Sequence, residues 1–386
     1  MLPLAVLPLG GTATADGLLP GAGEVQAARA TAAQRAAQVT AVEQQLAAAQ
    51  AAERELDVRA EEAVEKYNGA LVRRQSAQTG AVRAAEAAAQ AESDRQSAGD
   101  AADVLAAEQY RMGVPPALVA LDGVLQAGNM SAANTEHEIL RSVSAQADSV
   151  VSAAGSTAAR AAAASQEAFR AAALAQQATT AVQSAEKQVL AQLAAQRTQV
   201  AAIDAQHTAL LAALAAAQQI SVDLAARRQQ ALAAEAARAA AEAARQAALQ
   251  APAPGGPDGS SDPAPAGDAA AVVAYARAQV GLPYVWGAAG PRTFDCSGLT
   301  MRAWERAGIT LPHFAADQYV RSRPVSYSQL RPGDLVFWSH DGSPGDIYHV
   351  AVYIGDDQMI EAPRTGMDVK IASLWIMGTP NFYARP

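Results

Sequence analysis

The stretch TFDCSGLTMRAWERAG, residues 293–308, decides how the last third of this chain folds, and it contains the only cysteine of the 386 residues. Its apolar side chains recur at helical spacing, which predicts a helix that begins near Cys296 and ends at Gly308. Asp295 is the expected N-cap of this helix. Cys296 is therefore predicted to lie in the first turn, where unpaired backbone N–H groups and the helix dipole favour a thiolate.

Two interpretations of Cys296 are open at this point. A chain with a single cysteine has no partner for an internal disulfide. The residue is then either a buried, unreactive side chain that packs as a small apolar group, or a nucleophile. The polar neighbours Asp295 and Ser297 and the position at the start of a helix favour the nucleophile.

The composition of the chain divides at Ala269. All four tryptophans lie after this position, whereas the first two thirds are rich in alanine. Because large side chains are needed to build a core, the globular domain is predicted at residues 269–386. This domain has ten basic and ten acidic residues, so the net charge of −9 belongs to the preceding part. An acidic, alanine-rich segment does not favour nucleic-acid binding.

Residues 22–250 are predicted to form an antiparallel coiled coil. Apolar residues recur at three- and four-residue intervals between positions 42 and 70, and again between 189 and 214. Near residues 112–130 a glycine and two prolines interrupt the helix, and a short helical tip with an apolar stripe follows. The stripe either covers the end of the coiled coil or is a docking surface for a partner protein.

The segments on either side of the helical region have signals of their own. Residues 1–21 are predicted to be a partial signal peptide and N-terminal tail, because an apolar run leads to Ala13-Thr14-Ala15, which resembles a cleavage site. The basic region that normally precedes such a run is missing. Residues 251–268 are rich in Pro, Gly and Ala, which predicts an extended linker. An export signal indicates a secreted protein.

The C-terminal domain is predicted to be α+β and to carry the groups of a cysteine protease. Helical patterns come first, and a turn at Pro332-Gly333-Asp334 then opens a series of strands. His349 begins one strand, and Glu361 lies across the predicted hairpin. Such an enzyme needs a thiolate, an imidazole that accepts its proton and a polar group that orients the imidazole. Cys296, His349 and Glu361 supply these groups in that order.

Other arrangements of the site have less support in the sequence. His313 and His340 are competing imidazoles, but both lie outside the predicted strands of the sheet. The chain contains no His, Cys and Asp cluster with ligand spacing, so we expect neither a metal nor another cofactor.

Four motifs of the C-terminal domain resemble those of the NlpC-type cysteine peptidases of bacterial cell walls. They are PYVWG at 283–287, DCSG at 295–298, PGDLVF at 332–337 and HVAVYIG at 349–355. The resemblance extends over residues 269–386 and implies a papain-like domain. The expected fold class is therefore an all-α coiled-coil rod followed by an α+β papain-like domain.

The resemblance also implies an activity, that of a peptidoglycan endopeptidase acting on stem peptides. The bond commonly cut joins the γ-carboxyl group of D-glutamate to a diamino acid. In this family Cys296 would be the nucleophile and His349 the base. Glu361 would be the third catalytic group, although His, Asn or Gln is more common there, and Glu is similar to the variant in actinobacterial members.

The family motifs imply substrate-binding roles for three further residues. Tyr284 would contribute near the oxyanion. Asp295 and Ser297 would hold the free amine end of the stem peptide.

The helical region resembles, more weakly, the coiled coils of division-associated wall hydrolases. In those proteins the coil docks on the extracellular part of an FtsX-type membrane protein and controls access to the active site. The resemblance implies a role in wall remodelling or daughter-cell separation. Two alternatives remain open: a non-catalytic wall-binding scaffold or activator, and a thiol amidase or acyltransferase on the same fold.

Overall fold

The computed structural model describes residues 22–113, 116–126, 130–218, 221–251 and 269–386. The predicted signal peptide and residues 252–268 of the predicted linker lie outside these ranges. Within these ranges the helical region contains four helices: α1 (Ala22–Met112), α2 (Pro116–Leu125), α3 (Met130–Gln218) and α4 (Val222–Gln250).

The break between α1 and α2 follows from backbone chemistry. Gly113 has a φ of +66°, a left-handed conformation that ends helices and that glycine adopts without strain. Pro116 is the first residue of α2, where its missing N–H group costs nothing. The interruption predicted near residues 112–130 is therefore present as a short helix between two long ones.

The chain forms two compact units, each containing parts of α1 and α3. The first comprises Met1–Val58 and Ala195–Ala243. In its described residues Leu46 packs with Leu214, and the Gln196 side chain donates a hydrogen bond of 2.7 Å to Asp57. Because residues further along α1 meet residues earlier in α3, the two helices run antiparallel here.

The second unit comprises Arg59–Ala194 and Ala244–Pro386, so it joins part of the helical region to the C-terminal domain. Ala60 and Val64 of α1 pack with Val189 and Leu193 of α3. Apolar residues from both of the periodic stretches in the sequence are thus buried against each other.

The C-terminal domain places three helices before and beside one antiparallel sheet. The helices are α5 (Ala269–Ala278), α6 (Cys296–Glu305) and α7 (Ala315–Val320). The strands are β1 (Arg323–Pro324), β2 (Leu335–Ser339), β3 (Ile347–Gly355), β4 (Gln358–Glu361), β5 (Lys370–Ser373) and β6 (Phe382–Arg385). Their order in the sheet is β1-β6-β2-β3-β4-β5. The predicted order, an all-helical region followed by an α+β domain, is confirmed.

The core of this domain lies between α6 and the central strands. Leu299 of α6, Phe337 of β2 and Val350 of β3 are all fully buried in it. The buried members of this core come from residues 272–384 alone. Among the described residues, the domain therefore builds its core without the long helices.

Candidate active site

The start of α6 positions the thiol. Asp295 is the N-cap, with an extended backbone, and its Oδ1 accepts a hydrogen bond of 2.7 Å from the backbone N–H of Gly298. The predicted cap is confirmed. Cys296 follows as the first helical residue, and its side chain is buried, with 2% of the residue exposed.

Strand pairing brings His349 and Glu361 together. Val352 of β3 pairs with Ile360 of β4, which places Glu361 on the same face as His349, one diagonal position away. The Nε2 atom of His349 lies 3.0 Å from Oε2 of Glu361, and both side chains are buried. Lys370 on β5 lies 3.5 Å from the other carboxylate oxygen. The hairpin thus holds the imidazole in one orientation.

Cys296 and His349 interact across the helix and the sheet, because the imidazole acts to lower the pKa of the thiol. Burial alone would lower the pKa of His349, but the charge of Glu61 and the interactions with Cys296 and Glu361 raise it well above its usual value. Burial raises the pKa of Glu361, but the His349 hydrogen bond and the positive charges of His349 and Lys370 lower this pKa overall. The pair is therefore arranged as imidazolium and carboxylate.

The expectation that the helix start favours a thiolate is wrong for this arrangement. Burial and the negative charge of Glu65 raise the pKa of Cys296 far above its usual value, and His349 offsets them only in part. A helix N-terminus stabilises a thiolate best where water also solvates it. Here the thiol is dry and lies next to a carboxylate, so it keeps its proton.

The residues expected to bind substrate surround the thiol. Tyr284 is buried, and both this burial and the charge of Asp295 raise the pKa of its phenol. Asp295 accepts a second hydrogen bond, of 2.8 Å, from the N–H of Gly287. Ser297 is fully buried beside it.

The competing imidazoles have other partners. His313 lies 2.7 Å from Oδ1 of Asp295 and so supports that carboxylate. His340 is about half exposed and lies 3.7 Å from Glu62 of α1. His349 is the imidazole that acts to lower the pKa of the thiol.

Comparison with known proteins identifies the C-terminal domain. Residues 281–379 match the model of the NlpC/P60 family, and the match includes Cys296, His349 and Glu361. This domain belongs to the NlpC/P60 family. The family is one of cysteine peptidases, as the four motifs had predicted.

Several curated proteins are similar to the NlpC/P60 domain. A “Probable endopeptidase” of Mycobacterium tuberculosis is 41% identical over 129 residues, which are 33% of this chain and 31% of that protein. “Peptidoglycan endopeptidase RipA” of the same species is 37% identical over 127 residues, 30% of this chain and 26% of RipA. “Probable endopeptidase p60” of Listeria grayi is 44% identical over 99 residues, 26% of this chain and 19% of p60. The chain spans less than a third of these relatives.

One solved structure is also similar to part of this chain. The NlpC/p60 domain of the peptidoglycan hydrolase SagA is 39% identical, with 31% of this chain and 98% of that chain covered and a TM-score of 0.29.

Three further residues at the NlpC/P60 site come from α1, and sequence reasoning missed them. Glu61, Glu65 and Asn68 are buried against the domain, and Oε2 of Glu61 lies 3.2 Å from Nδ1 of His349. Their spacing puts them on one side of the helix. Polar residues at this spacing normally form a solvated face, so nothing in the sequence distinguished them from the many other polar residues of α1.

Proposed function

We propose that this protein is a peptidoglycan endopeptidase that hydrolyses stem peptides with Cys296 as nucleophile, His349 as base and Glu361 as the residue that orients the imidazole. The observation that carries the proposal is the 3.0 Å contact between His349 and Glu361, together with the influence of this imidazole on the pKa of the Cys296 thiol. It is supported by the similarity of the domain to named endopeptidases.

The reaction follows from the chemistry of these groups. When Glu61 of α1 no longer raises the pKa of His349, the ring is neutral. The neutral imidazole takes the thiol proton, and the sulfur attacks the carbonyl carbon of the peptide. His349 then gives the proton to the departing amine, which leaves a thioester on Cys296. Water, deprotonated by His349, attacks the thioester carbon and releases the acid and the free thiol. Tyr284 would contribute near the oxyanion in these steps.

The substrate bond is proposed to be the one between the γ-carboxyl of D-glutamate and the diamino acid. The buried Asp295 carboxylate and the Ser297 hydroxyl lie side by side next to the thiol. A carboxylate and a hydroxyl suit an ammonium group, so this pair would hold the free amine end of the stem.

The test is mass spectrometry of purified stem peptides after incubation with residues 269–386, beside the Cys296→Ala variant. Cleavage after the D-glutamyl residue is expected with the parent domain and is expected to vanish in the variant. Circular dichroism of both proteins controls for folding.

Absence of cleavage by a folded domain whose thiol still reacts with an alkylating probe would contradict the proposal. In that case a wall-binding module, or a thiol amidase or acyltransferase with another substrate, would replace the endopeptidase.

We also propose that the protein acts outside the cytoplasm, at the cell wall. The helical region spans residues 22–250 and is joined by a linker at 251–268, and we propose that it regulates the enzyme or docks it on a partner.

In α2, Leu118, Leu121 and Leu125 are more than half exposed. This stripe would contact an FtsX-type membrane protein. Unchanged binding of such a partner to a Leu121→Asp variant would count against that contact.

A further inference from the structure

The side of α1 that faces the NlpC/P60 domain is polar although it is buried. Asn68 is fully buried, and Glu61 and Glu65 are 7% and 2% exposed. Burial of a carboxylate is costly unless hydrogen bonds compensate for the lost water. The partners of these side chains therefore show what the cleft is built to hold.

Glu65 occupies the place next to the thiol. Its Oε1 accepts hydrogen bonds from the Ser297 hydroxyl, at 2.7 Å, and from the Cys296 thiol, at 3.6 Å. Its Oε2 accepts a hydrogen bond of 2.6 Å from the backbone N–H of Ala315. A carboxylate at the end of a two-methylene chain thus lies against the nucleophile.

Asn68 lies beside Glu65, and its side-chain amide donates hydrogen bonds to the domain. Its Nδ2 donates to Oδ2 of Asp295 at 3.0 Å and to the Ser297 hydroxyl at 3.3 Å. It also donates to Oε1 of Glu65 at 3.0 Å, which fixes the two side chains relative to each other.

We propose that Glu65 and Asn68 form a pseudosubstrate that closes the active site of this same chain. The inference rests on the proposed function. Hydrolysis of a γ-glutamyl bond releases a carboxylate on two methylene groups, and the Glu65 side chain has the same end group. The Asn68 amide presents its N–H groups to Asp295 and Ser297, where the free amine of the stem would bind. α1 thereby resembles the acyl product held in the cleft.

The rest of the contact fits this close approach. A Cβ atom at Gly69 would lie 2.9 Å from the Phe314 ring, so a glycine lets α1 reach the domain. Tyr67 packs edge-on against Trp286, with 5.2 Å between ring centroids. The contact of Gly69 with the domain involves neither the thiol nor the imidazole. Gly69 is therefore a suitable position for a test.

The test measures alkylation of Cys296 by iodoacetamide in the full-length chain, followed by intact mass. Since Cys296 is the only cysteine, each chain gains one label, and the readout needs no peptidase activity. Glu65→Ala/Asn68→Ala and Gly69→Leu are compared with the parent. The matched controls are Glu86→Ala and Gly80→Leu, at exposed positions of the same helix.

We expect the Glu65/Asn68 and Gly69 variants to react at least about tenfold faster than the parent, because reactivity follows access and thiolate content. The controls should react at the parent rate. Equal rates in the parent and both cleft variants, with helical content unchanged, would overturn the proposal.

A second arm separates mimicry from simple coverage. The dipeptide L-alanyl-D-glutamate carries a free amine and a γ-carboxylate, so it should slow alkylation of the Glu65→Ala/Asn68→Ala variant and leave the parent unchanged. Coverage without mimicry would leave the variant fast at every dipeptide concentration, and the pseudosubstrate would then be rejected. Peptidase failure alone would alter neither arm, which keeps this result separate from that of the proposed function.

Discussion

At the scale of single residues, the His349 imidazole lies between two carboxylates of different origin. Glu361 is fixed on the adjacent strand at 3.0 Å from Nε2, whereas Glu61 belongs to α1 and lies 3.2 Å from Nδ1. Only Glu361 is part of the domain itself. It is therefore the carboxylate that can orient the ring while substrate is bound.

Replacement of Glu361 by Gln should lower cleavage by residues 269–386 on the order of 10²- to 10⁴-fold, because the imidazole loses the charge that holds it. Initial rates on purified stem peptide, followed by mass spectrometry, measure this. Asp368→Asn, at an exposed position, serves as the control. A Glu361→Gln domain with the parent rate would remove Glu361 from the mechanism.

The same variant has a defined pH signature. The pKa of Glu361 is lowered, so its charge stabilises the fold above the ordinary carboxyl pKa of 4.5, and this contribution is lost as the pH falls through the lowered value. The parent should thus be more stable to urea than Glu361→Gln at neutral pH, and the difference should shrink in acid.

At the scale of elements, α6 is fixed at its first turn by close backbone packing. A Cβ atom at Gly298 would lie 2.3 Å from the carbonyl oxygen of Ala288 and 2.8 Å from Oδ1 of Asp295. The glycine therefore allows the loop before the helix to pass over it, which is what delivers Cys296 to the site.

Gly298→Ala is expected to destabilise the domain by about 1–3 kcal/mol, although alanine usually favours a helix, because the backbone contact must move. Urea unfolding of residues 269–386 measures the change. Gly345→Ala is the matched control, since a Cβ there meets nothing within 4 Å. Equal midpoints for both variants would show that the loop adapts freely.

At the scale of the whole molecule, a segment of the long helix α1 reaches the site of a domain that begins 200 residues later in the sequence. The core of that domain excludes α1, but Glu65 and Asn68 fill its cleft. The state of the thiol is therefore a property of the full chain rather than of the domain alone.

Removal of residues 1–268 should move the pH dependence of Cys296 alkylation to lower pH. In the full chain burial and the Glu65 charge raise the thiol pKa, and the thiolate is the reacting form. Rates of iodoacetamide labelling from neutral to alkaline pH, for both proteins, check this. Superimposable profiles would show that α1 has no influence on the thiol.

Much of this protein follows from local sequence. The Asp295 cap, the helix that begins at Cys296, the strand at His349 and the break at Gly113 depend on capping, periodicity and backbone preference over a few residues. The four motifs also indicated the family. These features are local, so a short window of sequence contains the physical cause of each.

The tertiary structure determines whether the Cys296 thiol is protonated and whether the site is accessible. The helix start at Cys296 predicted a thiolate, but the thiol pKa rises because Glu65 of a distant helix buries it and adds negative charge. Glu61, Glu65 and Asn68 look like any solvated polar face until the fold brings the domain against them. Desolvation and charge pairing depend on which surfaces meet, and no periodicity within a single helix encodes that.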